Sequence, residues 1–183
     1  MMEQILIRKA WAMPNRDTFS IPPVREFVES RIRNSLRSID PFARNSGLCT
    51  FTNDINPETS AMFHEDAESF LSRFSDNDLK FDLVILDPPY SPRQVKEAYD
   101  EVGKKTTKID CQQPASMKRI RGLINKITRH GAVCLSFGWN SVGMGSGWVQ
   151  EEILLVCHGG YHHDTICTAS RKVENGETFE AEI

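Results

Sequence analysis

The chain has 183 residues, 39% hydrophobic and 26% charged, with a formal net charge of −3. That balance fits one ordinary globular domain with a real core and argues against a protein coated in nucleic acid. No apolar run approaches membrane-spanning length and the amino end lacks a secretory pattern. The five cysteines (49, 111, 134, 157 and 167) are odd in number and scattered, as reduced thiols in a cytoplasmic protein would be.

Residues 1–20 are mixed, with one short apolar patch at Ile5–Ile7 that suits a strand or a partner contact. Ser20-Ile21-Pro22-Pro23 reads as a helix start, with Ser20 as the hydroxyl cap and proline in the first turn. Val24, Phe27, Val28 and Ile32 then recur at helical spacing and predict one buried face as far as about Asn34. Ser35–Asp40 is a short predicted strand, followed by the loop Pro41-Phe42-Ala43-Arg44-Asn45-Ser46-Gly47. A loop that brings backbone close to a ligand is usually rich in glycine, and this one has only Gly47, late.

Cys49–Asn53 predicts a second strand that ends at Asp54. Asp54 is either an ordinary turn residue or an acceptor for the two hydroxyls of a ribose. Asp66 precedes the helix predicted from Ala67 to Phe74 and is placed to cap it. The run Phe81–Leu86 is almost continuously apolar, the pattern of a strand buried on both faces of a parallel sheet. It stops on Asp87-Pro88-Pro89-Tyr90, because prolines cannot continue a sheet ladder.

A helix follows from Ser91-Pro92 to about Tyr99, and Gly103–Pro114 reads as a mobile loop. Residues 91–130 hold ten Lys/Arg against four Asp/Glu, a local basic bias that suits either phosphate contact or a solvated helix face. Met117, Ile120, Leu123, Ile124 and Ile127 predict a helix reaching Arg129 and ended by Gly131. Ala132–Phe137 is another buried strand with Gly138-Trp139-Asn140 at its end, then a glycine-rich turn to Gly147. Trp148–Cys157 and Thr165–Val173 predict a terminal antiparallel pair, and the tail from Glu174 is acidic. His158, His162 and His163 sit in a hairpin-like loop whose spacing matches no standard metal-ligand pattern, so no metal is expected.

The chemistry is concentrated at residues 87–90. An aromatic amine is a poor nucleophile because its lone pair is delocalised into the ring. The Asp87 carboxylate and the Pro88 carbonyl can each accept one N–H of such an amine, with Pro89 fixing the geometry and Tyr90 stacking on the ring. That arrangement suits transfer of a methyl group to the nitrogen. The carboxyl ends of central strands are also where open α/β sheets bind ligands.

DPPY at a strand end resembles the catalytic signature of amino-methyltransferases that act on nucleic-acid bases. From about Met13 to about Val173 the chain resembles the small adenine-specific DNA methyltransferases of bacterial viruses and prophages. The resemblance rests on MPNRDTFSIPPVREFV, IDPFARNS, TNDINP, DPPYSPRQVKEAY, SFGWNSVGMG and EILLVCHGGYHHDTIC, in that order. It implies a Rossmann-like α/β fold with a mostly parallel sheet and a C-terminal antiparallel hairpin, in one domain without a separate target-recognition domain. It implies S-adenosyl-L-methionine as cofactor, held by Ile21, Pro22, Asp40, Pro41, Phe42, Asp54, Asp66 and Ala67. It implies Asp87, Pro88, Pro89 and Tyr90 as catalytic residues. Tyr90, Arg93, Trp139 and Asn140 are then candidates for contact with a flipped-out adenine in DNA. N4 of cytosine presents the same two protons and is the rival target, and a non-catalytic nucleic-acid-binding subunit is the rival from another class. With so little chain left to read a target, short or relaxed specificity is expected, or help from a homodimer or second subunit.

Overall fold

The computed structural model describes residues 4–89, 92–103 and 113–173. Seven strands form one sheet in the order β1-β6-β7-β5-β4-β2-β3. They are β1 (Leu6–Trp11), β2 (Ser38–Asp40), β3 (Phe51–Thr52), β4 (Phe81–Leu86), β5 (Thr128–Gly138), β6 (Trp148–Cys157) and β7 (Thr165–Lys172). Four α-helices join them: α1 (Pro22–Ile32), α2 (Ala67–Ser72), α3 (Pro92–Glu101) and α4 (Gln113–Ile127).

The apolar run of β4 is central because both its faces are covered. Leu83 and Ile85 join a core with Val24, Phe27 and Val28 of α1. Val84 and Leu86 point the other way, to Phe70 and Leu71 of α2 and Ile120, Ile124 and Ile127 of α4. Period-two alternation thus feeds two helical layers from one strand. β4 pairs in parallel with β2 on one side and β5 on the other, so the three strands deliver their carboxyl ends to the same rim.

Several elements differ from the sequence expectations. Thr18–Ser20 forms a short 3-10 turn, and Ile21, not Ser20, is the N-cap residue of α1. The Ser20 hydroxyl is spent on the Asp17 carbonyl at 2.8 Å, and Pro22 supplies the pre-set φ that starts the helix. Helix α4 ends at Ile127, and Gly131, with φ 73°, lies inside β5 rather than at a helix end. Lys172 and Lys80 satisfy carbonyls at the α4 terminus: Lys172 Nζ reaches Asn125 and Thr128, and Lys80 Nζ reaches Lys126. The antiparallel pair exists, but β7 inserts between β5 and β6, pairing antiparallel with both.

The apolar patch at the amino end belongs to β1, which adds in parallel to the outer side of β6. Glu152 of β6 pins it. This carboxylate is 6% exposed and pairs with Arg8 of β1 at 2.5 Å and with Arg31 of α1. At the opposite edge, a third inner strand is reduced to one parallel bridge between Asn53 and Phe63. Asn53, fully buried, replaces the missing ladder: its side chain donates to the carbonyls of Pro41 and Glu65 and accepts from Glu65 N–H.

Candidate active site at the carboxyl rim of the sheet

Asp40 is the last residue of β2 and is wholly buried. Its Oδ1 accepts the Phe42 N–H at 2.9 Å. Its Oδ2 is buried without a hydrogen-bond partner among the described residues. Burial pushes the Asp40 carboxyl well above the usual carboxylate range, opposed by the Phe42 N–H and reinforced by Asp87 and Asp54 nearby. A buried carboxylate with one oxygen unclaimed is a poor structural element and a good receptor for a cation.

The loop after Asp40 makes its tight turn without glycine. Arg44 itself adopts φ 51°, the left-handed region, at a cost of about 1–2 kcal/mol for a residue with a side chain. Neighbouring groups hold it there. The Arg44 N–H donates to Asp54 Oδ2 at 3.0 Å, and its guanidinium donates to the Arg16 carbonyl at 3.2 Å. The tight turn that a glycine-rich loop would make is thus present here without glycine.

Asp54 accepts a second backbone donor, Asn56 N–H, at 2.9 Å on its other oxygen. Each oxygen therefore carries one bond and keeps a lone pair for a further donor. Asp66 is the N-cap of α2: Oδ1 accepts the N–H groups of Glu68 and Ser69, and Oδ2 accepts the Ser69 hydroxyl at 2.6 Å. The expected capping role of Asp66 is thus visible. Ala67 opens the same helix and is half-buried. Pro41 is buried, and Phe42 packs against the α2–α4 core. Ile21 is buried in the α1 core and Pro22 is exposed beside it.

Asp87 follows β4 on the rim adjoining Asp40. Its carboxylate takes a hydrogen bond from the Thr18 side chain, with the Arg44 guanidinium and Asp17 close by. Desolvation dominates and raises its pKa to about 7, against the hydrogen bond from Thr18 and the charge of Arg44. Burial pushes the Cys167 thiol well up, and the charge of Asp87 adds to the rise. The sequence offered no signal for Thr18, which reaches Asp87 only because the 3-10 turn lies over the strand end.

Pro88 and Pro89 form one side of a cavity of about 140 Å³ whose other walls include Leu86, Met117, Arg121, Phe137, Trp139 and Asn140. Trp139 and Asn140, the expected substrate contacts, line the same cavity as the two prolines. Asp87, immediately before Pro88, is not among its walls and takes the Thr18 hydrogen bond. Phe137 is chiefly a core residue, edge-on to Phe19 at 5.3 Å and Phe27 at 6.3 Å. Trp139 is 47% exposed and stacks at a tilt on His163 at 4.7 Å. The Asn140 side chain accepts the Val142 N–H at 3.1 Å. Arg93 is exposed on α3. Tyr90 and residues 104–112, which make up most of the expected mobile loop, lie outside the described residues.

The described part of the basic segment is mostly paired or solvated. Arg119 binds Glu68 at 2.7 Å and Arg129 approaches Asp82 at 3.5 Å. His158 is a structural link, with one ring nitrogen 2.8 Å from the Ala12 carbonyl and the other 2.8 Å from the Thr165 hydroxyl.

No family model matches the chain, and no curated protein matches it in sequence. Its backbone does match known structures. One is yhhF of Escherichia coli, assigned as a methyltransferase, with TM-score 0.54 and 11% identity over 88% of this chain and 92% of that one. Another is TrmN of Thermus thermophilus, with TM-score 0.54 and 12% identity over 84% of this chain and 49% of that one. A third is SMU.776, assigned as a methyltransferase and solved with SAH, with TM-score 0.56 and 8% identity over 79% and 47%. At such identities the likeness is one of fold: this chain has the Rossmann-like α/β fold of S-adenosylmethionine-dependent methyltransferases, as its motifs implied.

Proposed function

We propose that this protein is an S-adenosylmethionine-dependent methyltransferase that acts on the N6 amine of adenine in DNA. The observation that carries the reading is the pair of carboxylates on adjacent strand ends, Asp40 buried and Asp87 half-buried. Asp40 has an unclaimed oxygen, and Asp87 stands immediately before two rigid prolines. The fold likeness supports the cofactor class, and the DPPY resemblance supports the target amine.

The fit to the cofactor rests on Asp40. Its free Oδ2 suits the donor's ammonium, which would also lower the cost of holding the carboxylate charged. Asp54 keeps lone pairs for ribose hydroxyls. Pro41, Phe42, Ile21, Pro22, Asp66 and Ala67 are the remaining candidate contacts. When bound, the donor supplies an electrophilic methyl group on a sulfonium sulfur.

The protein's own residues do the rest. The Asp87 carboxylate accepts one amine N–H and the Pro88 carbonyl accepts the other, which turns the nitrogen lone pair out of the ring plane. Thr18, donating to Asp87, fixes the direction of that carboxylate. The methylated nitrogen must shed one proton, and a carboxylate with a pKa near 7 is matched to take it at neutral pH. Tyr90 is proposed to stack on the base, with Trp139, Asn140 and Arg93 as further contacts to the flipped nucleotide.

The test is incubation of unmethylated DNA with labelled donor, followed by digestion and identification of the modified nucleoside. N6-methyladenine is expected, and its yield should fall at least a hundredfold in Asp87→Ala. N4-methylcytosine would overturn the choice of base. Absence of both methyl transfer and donor binding by calorimetry would identify a non-catalytic subunit instead.

A further inference from the structure

One feature of the rim has no part in the chemistry above. Arg121 of α4 is one of the residues lining the cavity walled by Pro88 and Pro89. Its Nε is fully buried and has no hydrogen-bond partner among the described residues. Its neighbours in sequence behave differently, since Arg119 is paired with Glu68 and Arg129 with Asp82. A buried guanidinium nitrogen left unpaired is costly, and native proteins seldom retain one without a use.

The cavity suits a flat ring. Its volume, about 140 Å³, is near the roughly 150 Å³ that accommodates a single benzene-sized ring in an apolar cavity. Two prolines and Trp139 offer planar or rigid walls. Met117, one helical turn before Arg121, lies on the same face of α4 and adds a soft thioether contact. A heterocycle with an acceptor on its edge satisfies the rigid walls and the guanidinium together.

We propose that Arg121 reads the edge of the target base, donating to a ring nitrogen on an edge that carries the amine. The assignment rests on the methyltransferase reading above, and it adds a group that reads the ring edge beside the amine. Arginine offers donors only. It accepts adenine, whose N1 and N7 are both acceptors near the amine, and it accepts cytosine equally through N3. It disfavours a ring that presents an N–H at that edge, because two donors would then face each other.

Three measurements test this. Wild type and Arg121→Met are first compared for thermal stability, with Arg121→Lys as a second variant should the methionine protein not fold. KM and kcat are then measured on DNA carrying the mapped target, with adenine, 1-deazaadenine or 7-deazaadenine at the methylated position. Finally, binding of 2′-deoxyadenosine is measured by calorimetry. Loss of one charge-assisted hydrogen bond predicts a rise in KM of about 10- to 100-fold with kcat nearly unchanged. One deaza analogue should impair the wild type and have no further effect in the variant.

A variant that stays as sensitive to both analogues as the wild type would overturn the assignment. So would an altered preference for the neighbouring nucleotide in place of the target base. If wild type transfers no methyl group yet binds 2′-deoxyadenosine, and Arg121→Met binds it at least tenfold more weakly, the enzymatic reading fails while the role of Arg121 stands. Equal nucleoside binding by both proteins, or binding by neither, overturns the role itself.

Discussion

Replacing Asp40 by asparagine should make the protein more stable and deprive it of its cofactor. The side chain keeps its shape, and the amide oxygen can still accept the Phe42 N–H now bound at 2.9 Å. What disappears is a negative charge at a site with no solvent exposure, one oxygen unpartnered, and Asp87 and Asp54 close enough to repel it. The excess cost of that charge over a neutral polar group is on the order of 1–3 kcal/mol. For a chain of this length each kcal/mol moves the melting temperature by about 2–4 °C, so the variant should melt about 2 to 12 °C higher.

The pH dependence fixes the sign. The folded Asp40 carboxyl titrates well above its unfolded value, so the folded protein binds the extra proton between the two. The associated stability is fully present below the unfolded value, near pH 4, and is lost as pH rises through the folded value. The advantage of Asp40→Asn should therefore be small in mild acid and greatest at pH 9. Donor at a hundredfold excess over its dissociation constant should add about 2.7 kcal/mol to the wild type and little to the variant. Differential scanning calorimetry at two pH values, with and without donor, measures all four quantities. A variant less stable than the wild type at pH 9, or one stabilised equally by the donor, would refute the role given to Asp40.

Three further outcomes are expected. Below about pH 7, kcat/KM should fall tenfold per unit as Asp87 gains a proton, and this inflection should vanish in Asp87→Asn when residual activity is followed across the range. Glu152→Gln leaves Arg8 and Arg31 without their shared carboxylate and should cost about 1–3 kcal/mol, discounted because Arg8 is partly exposed; a urea midpoint unchanged from wild type would count against the clamp. Gly143→Ala would set a methyl group 2.8 Å from the Ser170 hydroxyl at φ 58° and should lower stability by about 1–3 kcal/mol, read by thermal melting.

The parts legible in the sequence were those whose signals are local. β4 announced itself because burial on both faces leaves no polar position from Leu83 to Leu86, and the prolines after Asp87 mark its end. The stripe of Ile120, Ile124 and Ile127 gave the buried face of α4, and Asp66 sat where a cap belongs. What escaped depends on partners far away along the chain. β1 reads poorly as a strand because it is an exposed edge, held by Glu152 more than 140 positions later. Gly131 looked like a helix end because nothing nearby says that the following strand begins three residues before it. The contacts of Thr18 with Asp87 and of Arg121 with the proline wall are products of tertiary packing. Neither residue type stands out in its own neighbourhood.

The insertion of β7 between β5 and β6 ties the two halves of the sheet to a strand made after the other six. Until Thr165–Lys172 emerges during synthesis, β6 has nothing to join it to β5, and β1, made first, has no docked strand to pair with. The earlier-made group of β2, β3, β4 and β5 must therefore wait with the free flank of β5 unpaired, an edge open to pairing with other chains. Folding dominated by such distant pairings is slow, and a ribosome-stalled or truncated product ending before residue 165 should aggregate instead of yielding a smaller working enzyme.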